Sequence, residues 1–214
     1  MEKSRELVFY RHYFGEFFGQ QTEKVKEKID YVLFLITHAE RIPEKFLKHI
    51  EGQKGLYEIR VEVGNNIFRI FCCFDKGRIV VLFNGFQKKA MKTPKEEIKL
   101  AVKLMNEYFK NKYVLVATKK KTTSFDDHLT TRYGKRGTEK RTEFEIKAKA
   151  FMIGELIKEE RHLAKLTQEQ LADRIGAKKS FISRIEIGQS DIQLSTLYRL
   201  LEFGLGKKVE LTVH

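Results

Sequence analysis

Proline is nearly missing from this chain, with only Pro43 and Pro94 among 214 residues, which excludes a long proline-stiffened linker. Cysteine is equally scarce, and the two present, Cys72 and Cys73, are neighbours in what reads as a strand. Adjacent strand side chains point to opposite faces, so this pair makes neither a disulfide nor a metal site. With no disulfide framework, a reducing cytoplasm is the expected address. No apolar run approaches the roughly 18 residues that a membrane span needs, and the opening MEKSRELVFY has no hydrophobic signal segment. The six histidines are scattered and unpaired with carboxylates, so neither a metal nor a cofactor is expected. Internal repeats and low-complexity tracts are also absent.

What the chain has in excess is positive charge: 42 Lys and Arg against 29 Asp and Glu, a net charge of +13. That balance points to a polyanionic partner. The excess is uneven, at +7 over residues 1–112, +4 over 113–143 and +2 over 144–214. A hydrophobic content of 42% in a chain of this length suits two small domains, each with its own core.

The stretch Thr167–Gly188, TQEQLADRIGAKKSFISRIEIG, predicts two short helices joined by a tight turn. Thr167 and Gln170 have the spacing of a capping box. Leu171, Ala172 and Ile175 share one inward stripe, and Gly176 can end the helix at positive φ. In the second helix Phe181, Ile182 and Ile185 turn inward, leaving Lys178, Lys179, Ser180, Ser183 and Arg184 outside. This is a helix-turn-helix whose second helix has a basic, hydrogen-bonding outer face. The plainer alternative is a small helical bundle with a solvated face.

With T-L-x-x-L at Thr196–Leu200, the motif resembles the phage-repressor-like (Xre/Cro) DNA-binding family over about residues 147–203. The resemblance implies operator DNA as partner, with Gln168 on the DNA backbone and Lys179, Ser180 and Arg184 at base edges. The proline usual before the fourth helix is absent, and Ile192 and Gln193 stand there.

From the start of the chain, Glu6–Tyr10 reads as a strand, and residues 14–38 as one long amphipathic helix. Pro43 opens a short helix carrying Phe46, Leu47 and Ile50. The period then changes to two over Leu56–Val63, Ile67–Phe74 is apolar on both faces except for Arg69, and with Arg78–Phe86 these predict a meander with hairpins at Gly64–Asn66 and Lys76–Gly77. Thr93–Glu96 has a capping-box pattern opening a further helix with Ile98, Val102, Met105 and Phe109 inward. The first half is therefore α+β, an antiparallel sheet packed by helices. Residues 113–143 are polar and without a period, and read as a linker in which Phe125, Leu129 and Tyr133 are candidate anchors. The helix-turn-helix domain over 144–214 is expected to be all-α with a C-terminal strand near Lys208–Val213. That strand would find its partner in a second copy, making a homodimer.

Arg69 stands mid-strand between Ile67 and Phe71. There it must either be paired or line a concave site. Arg60 on the neighbouring strand, with Phe86, Lys88 and Lys89 at the end of the next, would suit single-stranded RNA, since phosphates need cations and a base needs a stacking surface. The alternative is a buried Arg69–Glu ion pair beside a solvated lysine edge.

The runs Leu56–Arg60, Phe68–Phe71, Gly85–Lys89 and Lys92–Pro94 resemble the RelE/ParE toxin superfamily, its HigB-like branch above all, over about residues 6–110. The resemblance implies a ribosome-dependent mRNA endonuclease, in which a ribose 2′-OH attacks the adjacent phosphate to leave a cyclic phosphate. Arg69 and Lys88 match positions that stabilise the charged transition state, while Arg60, Phe86, Lys89 and Lys92 would hold RNA. Asn84 stands where many of these toxins have histidine, so no neutral-pH base is identified beyond a guess at His49. Such toxins are encoded beside HigA-like antitoxins of the helix-turn-helix type, and the pairing implies a type II toxin–antitoxin fusion. Its parts are a toxin at 1–112, a linker at 113–143 and an antitoxin at 144–214. The expected partners are operator DNA, mRNA on the ribosome and the other half of the chain, with no membrane. A linker of about 30 residues spans roughly 30 Å, so cleavage near Lys119–Lys121 or Lys135–Arg136 would let the halves separate unless Phe125 and Leu129 dock. Competing readings are a transcription regulator built on a degenerate toxin fold, and a gyrase-binding inhibitor.

Overall fold

The computed structural model of the chain describes residues 3–76, 78–89, 93–118 and 122–209. The chain divides into two compact units, Met1–Phe144 and Glu145–His214. The first runs β1 (Glu6–Tyr10), α1 (Tyr13–Gly19), α2 (Glu23–His38), β2 (Leu47–His49), β3 (Leu56–Val63), β4 (Asn66–Asp75) and β5 (Ile79–Lys88). It continues through α3 (Lys95–Thr118), β6 (Thr122–Ser124) and α4 (Phe125–Tyr133). α5 (Glu139–Leu163) begins in this unit and leads into the second. There follow α6 (Gln168–Arg174), α7 (Lys179–Glu186) and α8 (Leu194–Tyr198), which widens into a π-helical turn over Arg199–Gly204. Among the described residues no helix is long and apolar enough to cross a membrane.

Six strands form one sheet in the order β2-β3-β4-β5-β1-β6. β1 runs parallel to β5 and the other neighbours are antiparallel, so the sheet is mixed rather than the expected antiparallel one. Helices cover both faces, so β4 and β5 are buried along most of their length, with successive side chains on opposite sides. On one face Tyr10, Leu56, Phe71, Cys73, Val81, Phe83 and Phe86 pack with Ala101, Leu104 and Tyr108 of α3. α3 is also tied to the end of β4, where buried Asp75 accepts from Tyr108 Oη at 2.9 Å and from Lys112 Nζ at 2.5 Å. The other face takes α1 and α2. Phe14 stacks on Phe9 with centroids 4.6 Å apart, and Phe17 lies against Phe68 and over Gly85. A Cβ at Gly85 would run into the Phe17 ring, so the close seating of α1 on β5 needs glycine there.

Several segments fold differently from their sequence patterns. The single helix expected over 14–38 is two, because Thr22 takes an extended conformation (φ −66°, ψ 156°) and restarts the helix after Gly19. The stretch after Pro43 is a turn and the edge strand β2, not a helix. The outer edge of β3 offers it backbone partners: Arg60 N–H donates to the Phe46 carbonyl at 2.8 Å, and Leu47 pairs with Ile59. α3 runs on to Thr118, through residues expected to be irregular. The expected C-terminal strand falls mainly on residues outside those described, and Lys208–Val209 are not in a strand. The sixth strand of the fold lies in mid-chain instead.

The largest difference is at 122–143, expected as a linker. Thr122–Ser124 pairs antiparallel with Tyr10–Val8 as β6, and the Ser124–Asp127 capping box then launches α4. Phe125 and Leu129 are buried, and Phe125 meets Phe9 edge-on. Composition suggested a linker because few of these residues are apolar. The segment is held by backbone pairing at a sheet edge and by ion pairs, which leave no hydrophobic period, and by the short stripe of Phe125 and Leu129.

In the second unit Ile157, Leu171, Ala172, Ile175, Ile182, Ile185, Leu200 and Leu205 form the core. The capping box is made in both directions: Gln170 N–H donates to Thr167 Oγ1 at 3.1 Å and Thr167 N–H to Gln170 Oε1 at 2.8 Å. Gly176 has φ +64°, as the turn between α6 and α7 requires.

Candidate functional site

Arg60 and Arg69 are register partners across β3 and β4, and Arg69 stands opposite Phe86 of β5. Directly paired residues share a face, and alternation adds Glu58 and Lys88 to it. This is the α3 face of the sheet, since Phe71, two residues from Arg69, packs in the α3 core. Glu58 Oε1 accepts from Arg60 Nε at 2.8 Å and lies 3.5 Å from Arg69 Nε. Arg69 Nη1 donates to the Phe68 carbonyl at 3.0 Å, while its Nε is buried without a hydrogen-bond acceptor. Arg69 is 5% exposed, and burial pulls its guanidinium below the ordinary arginine range. Glu58 opposes that shift and Arg60 adds to it. Of the two expectations for Arg69, the ion pair with a glutamate is what forms.

Lys88 is half-buried on the same face, and Lys89, just past the end of β5, is exposed. Phe86, expected as a stacking surface for a base, is 8% exposed and packs on Phe71 at 5.7 Å, so its ring belongs to the core. Lys92 lies outside the described residues. His49 pairs with Tyr57, which alternates away from Glu58 and Arg60, so it is not part of the cluster. The β4–β5 register slips between Ile70 and Cys72, and buried Asn84 reaches α3 there. Its Nδ2 donates to Glu97 Oε2 at 2.8 Å. Asn84 thus pins the first turn of α3 beside the cluster. The sequence reading left the glutamate paired with Arg69 unnamed, although the spacing of two between Glu58 and Arg60 within a strand places both on one face.

In the second unit Lys178 precedes α7 in an extended conformation, and Lys178, Lys179, Ser180 and Arg184 are exposed, while Ser183 is half-buried. Ile182 and Ile185 face the core as their spacing required. Gln168 donates from Nε2 to Glu186 Oε2 at 2.8 Å. Glu186 also accepts from Arg161 Nε at 2.5 Å and from Arg161 Nη2 at 3.0 Å, and Arg161 Nη1 donates to the Leu166 carbonyl at 2.7 Å. This buried fork ties α5, α6 and α7 together. Burial alone would raise the Glu186 carboxyl, but the hydrogen bonds from Arg161 and Gln168 hold it below its ordinary value. Neither Arg161 nor Glu186 was singled out from the sequence, where each reads as one more charge on a helix.

Residues 16–106 match the family model described as "Phage derived protein Gp49-like (DUF891)". Residues 157–203 match the model "Helix-turn-helix". Among solved structures, the restriction-modification controller protein C.AhdI from Aeromonas hydrophila is similar at 28% identity, with 28% of this chain and 91% of that one covered and a TM-score of 0.28. No curated protein matches. Residues 107–156, which contain β6 and α4, fall between the two family matches.

Proposed function

We propose that the chain is a type II toxin–antitoxin fusion, a Gp49-like domain of the HigB-like RelE/ParE toxin kind followed by an Xre-type helix-turn-helix domain. In this reading the first unit is a ribosome-dependent mRNA endonuclease. The second half neutralises it and represses the operon through α7.

The observation that carries the reading is the meeting of Arg60, Arg69 and Lys88 on one face of β3, β4 and β5. Attack of a 2′-OH on the adjacent phosphate builds negative charge on the phosphoryl oxygens. Fixed cations and N–H donors stabilise that charge, and two guanidinium groups and an ammonium on one face supply them. Glu58 positions both guanidinium groups, and a phosphate would compete with it for them. Lys89 adds charge for the RNA backbone. Expression of residues 1–118 is expected to arrest growth, and expression of the full chain is not. Arrest by neither, or equally by both, would count against neutralisation within the chain.

For the second unit the reading assigns a backbone contact to Gln168 and base-edge contacts to Lys179, Ser180 and Arg184, with Lys178 and Ser183 beside them on the DNA-binding face, on a palindromic operator bound by a homodimer. Arg184→Ala should weaken operator binding by about 1–3 kcal/mol and relax preference at one base position. A gel-shift series in which this variant keeps the full sequence preference would remove Arg184 from the contact set.

A second reading, a transcription regulator on a retired toxin fold, is favoured by one feature. Glu58 already occupies both arginines, and Asn84 supplies no titrating group where the family often has histidine. The growth test separates the two, since a retired domain arrests nothing.

A further inference from the structure

α2 carries a carboxylate, Asp30, that is fully buried. Its side-chain partners come from one short segment about 100 residues away. Arg132 Nε donates to Oδ2 at 2.8 Å, Tyr133 Oη donates to the same oxygen at 2.8 Å, and His128 Nε2 lies 2.8 Å from Oδ1. Arg132 reaches further with Nη2, to Glu23 Oε2 at 2.9 Å on the first turn of α2. A buried carboxylate without partners is costly, so Asp30 and this segment are matched to each other.

The rest of the segment has the form of a docked ligand more than of a domain's own core. β6 adds to the free edge of β1, the recognition mode in which main-chain bonds hold an added strand. Phe125, Leu129 and Tyr133 recur every four residues, the spacing by which a helix seats one face in a groove. Tyr133 stacks on Phe144 at 4.2 Å, and Phe144 stacks in turn on Tyr31 of α2 at 5.7 Å. The segment is also braced from within. The Ser124–Asp127 capping box starts α4, and Asp126 takes Arg136 at 3.0 Å and Arg141 at 2.9 Å. It lies outside both family matches, and without it β1 to β5 still form a continuous sheet with its α3 core.

We propose that Thr122–Phe144 is the grip by which the second half of the chain holds the first, and that the surface it takes on the first half is the β1 edge, Phe9 and Asp30. The grip resting on that surface deepens the fusion reading, because it assigns the neutralising contact to this segment and not to the helix-turn-helix. It leaves the basic face open. β6 is three strands from β4, roughly 14 Å at ordinary strand spacing. α4 packs on Phe9, whose neighbour Tyr10 points to the α3 side, so α4 and Arg69 lie on opposite faces. Neutralisation through this grip would act on the approach of a bulky substrate, not by filling the Arg69 cluster.

The test uses the full chain with a specific protease site placed in 119–121. After cutting, the two pieces are expected to co-elute in gel filtration, which reverses the expectation that a cut there separates the halves. Arg132→Ala with Tyr133→Phe should weaken retention at least about a hundredfold after cutting, as loss of one partner of a buried charge pair does. Before cutting, the same variant should keep the wild-type circular dichroism spectrum and operator binding. Asp30→Asn, which keeps the shape of the side chain, should loosen the cut pieces in the same direction. Separation of the wild-type pieces would overturn the proposal. So would co-elution that all three substitutions leave unchanged, since the hold would then lie elsewhere. None of these readouts depends on nuclease activity, so the grip and the nuclease reading can fail independently.

Discussion

Arg69→Ala in residues 1–118 is expected to lower cleavage of translated message about a hundredfold, the usual loss on removing one preorganised donor to a developing oxyanion. The size follows from how the side chain is held. It is buried, anchored to the Phe68 carbonyl and set against Glu58, so the guanidinium is held in place and does not need to reorganise. Arg60 is half-buried and held through Glu58 alone, and should matter less. Arg69→Lys should recover little, because an ammonium on a flexible stem cannot reproduce the planar fork. The fold should survive Arg69→Ala, since Arg60 still neutralises Glu58 at 2.8 Å. Primer extension on a translated message measures the loss, with circular dichroism as the folding control. Wild-type cleavage by the alanine variant would sink the assignment of Arg69.

Glu186→Ala is expected to unfold the second unit or bring it to the edge of unfolding. The substitution leaves the Arg161 guanidinium buried without its counter-charge, which costs about 3–5 kcal/mol. Domains of this kind have about 5–15 kcal/mol in all. The Gln168 amide would lose its acceptor as well, so the start of α6 should loosen too. Replacing both partners by apolar residues of similar size should be far milder than either single change, because no charge is then stranded. The pH dependence has a definite sign. The folded-state pKa of Glu186 lies below the unfolded value of 4.5, so this stabilisation is complete above that value and is lost as pH falls through the folded pKa. Thermal melts of the full chain followed at neutral and acid pH should show the second-unit transition moving to lower temperature in acid, and Glu186→Ala largely abolishing that transition at neutral pH. An unchanged melting temperature in Glu186→Ala would show that the fork is not structural.

The helix-turn-helix could be read without a structure because everything that specifies it is local. Thr167 caps through Gln170 three residues on, Gly176 supplies the positive φ of the turn, and Ile182 and Ile185 fall on one stripe at helical spacing. The strands β3 to β5 were legible for the same reason, as the alternation of β3, the apolar runs of β4 and β5 and the hairpin turns lie within a few residues of one another. Composition and charge also pointed to a polyanionic partner. Tertiary structure alone decided which charges meet. Asp30 and Arg132 are 102 positions apart, and Arg161 and Glu186 are 25 apart, on helices where each reads as an ordinary surface charge until packing buries it. β6 is the clearest case. Three polar residues, Thr122–Ser124, have no period, and they become a strand only because β1 presents unpaired backbone groups at that edge. Phe86 was misplaced for the complementary reason: an aromatic next to lysines looks like a stacking surface until α3 covers it. Hydrophobic period and capping chemistry are properties of neighbours in sequence, whereas ion pairing and edge pairing are properties of neighbours in space, and this fold depends on both.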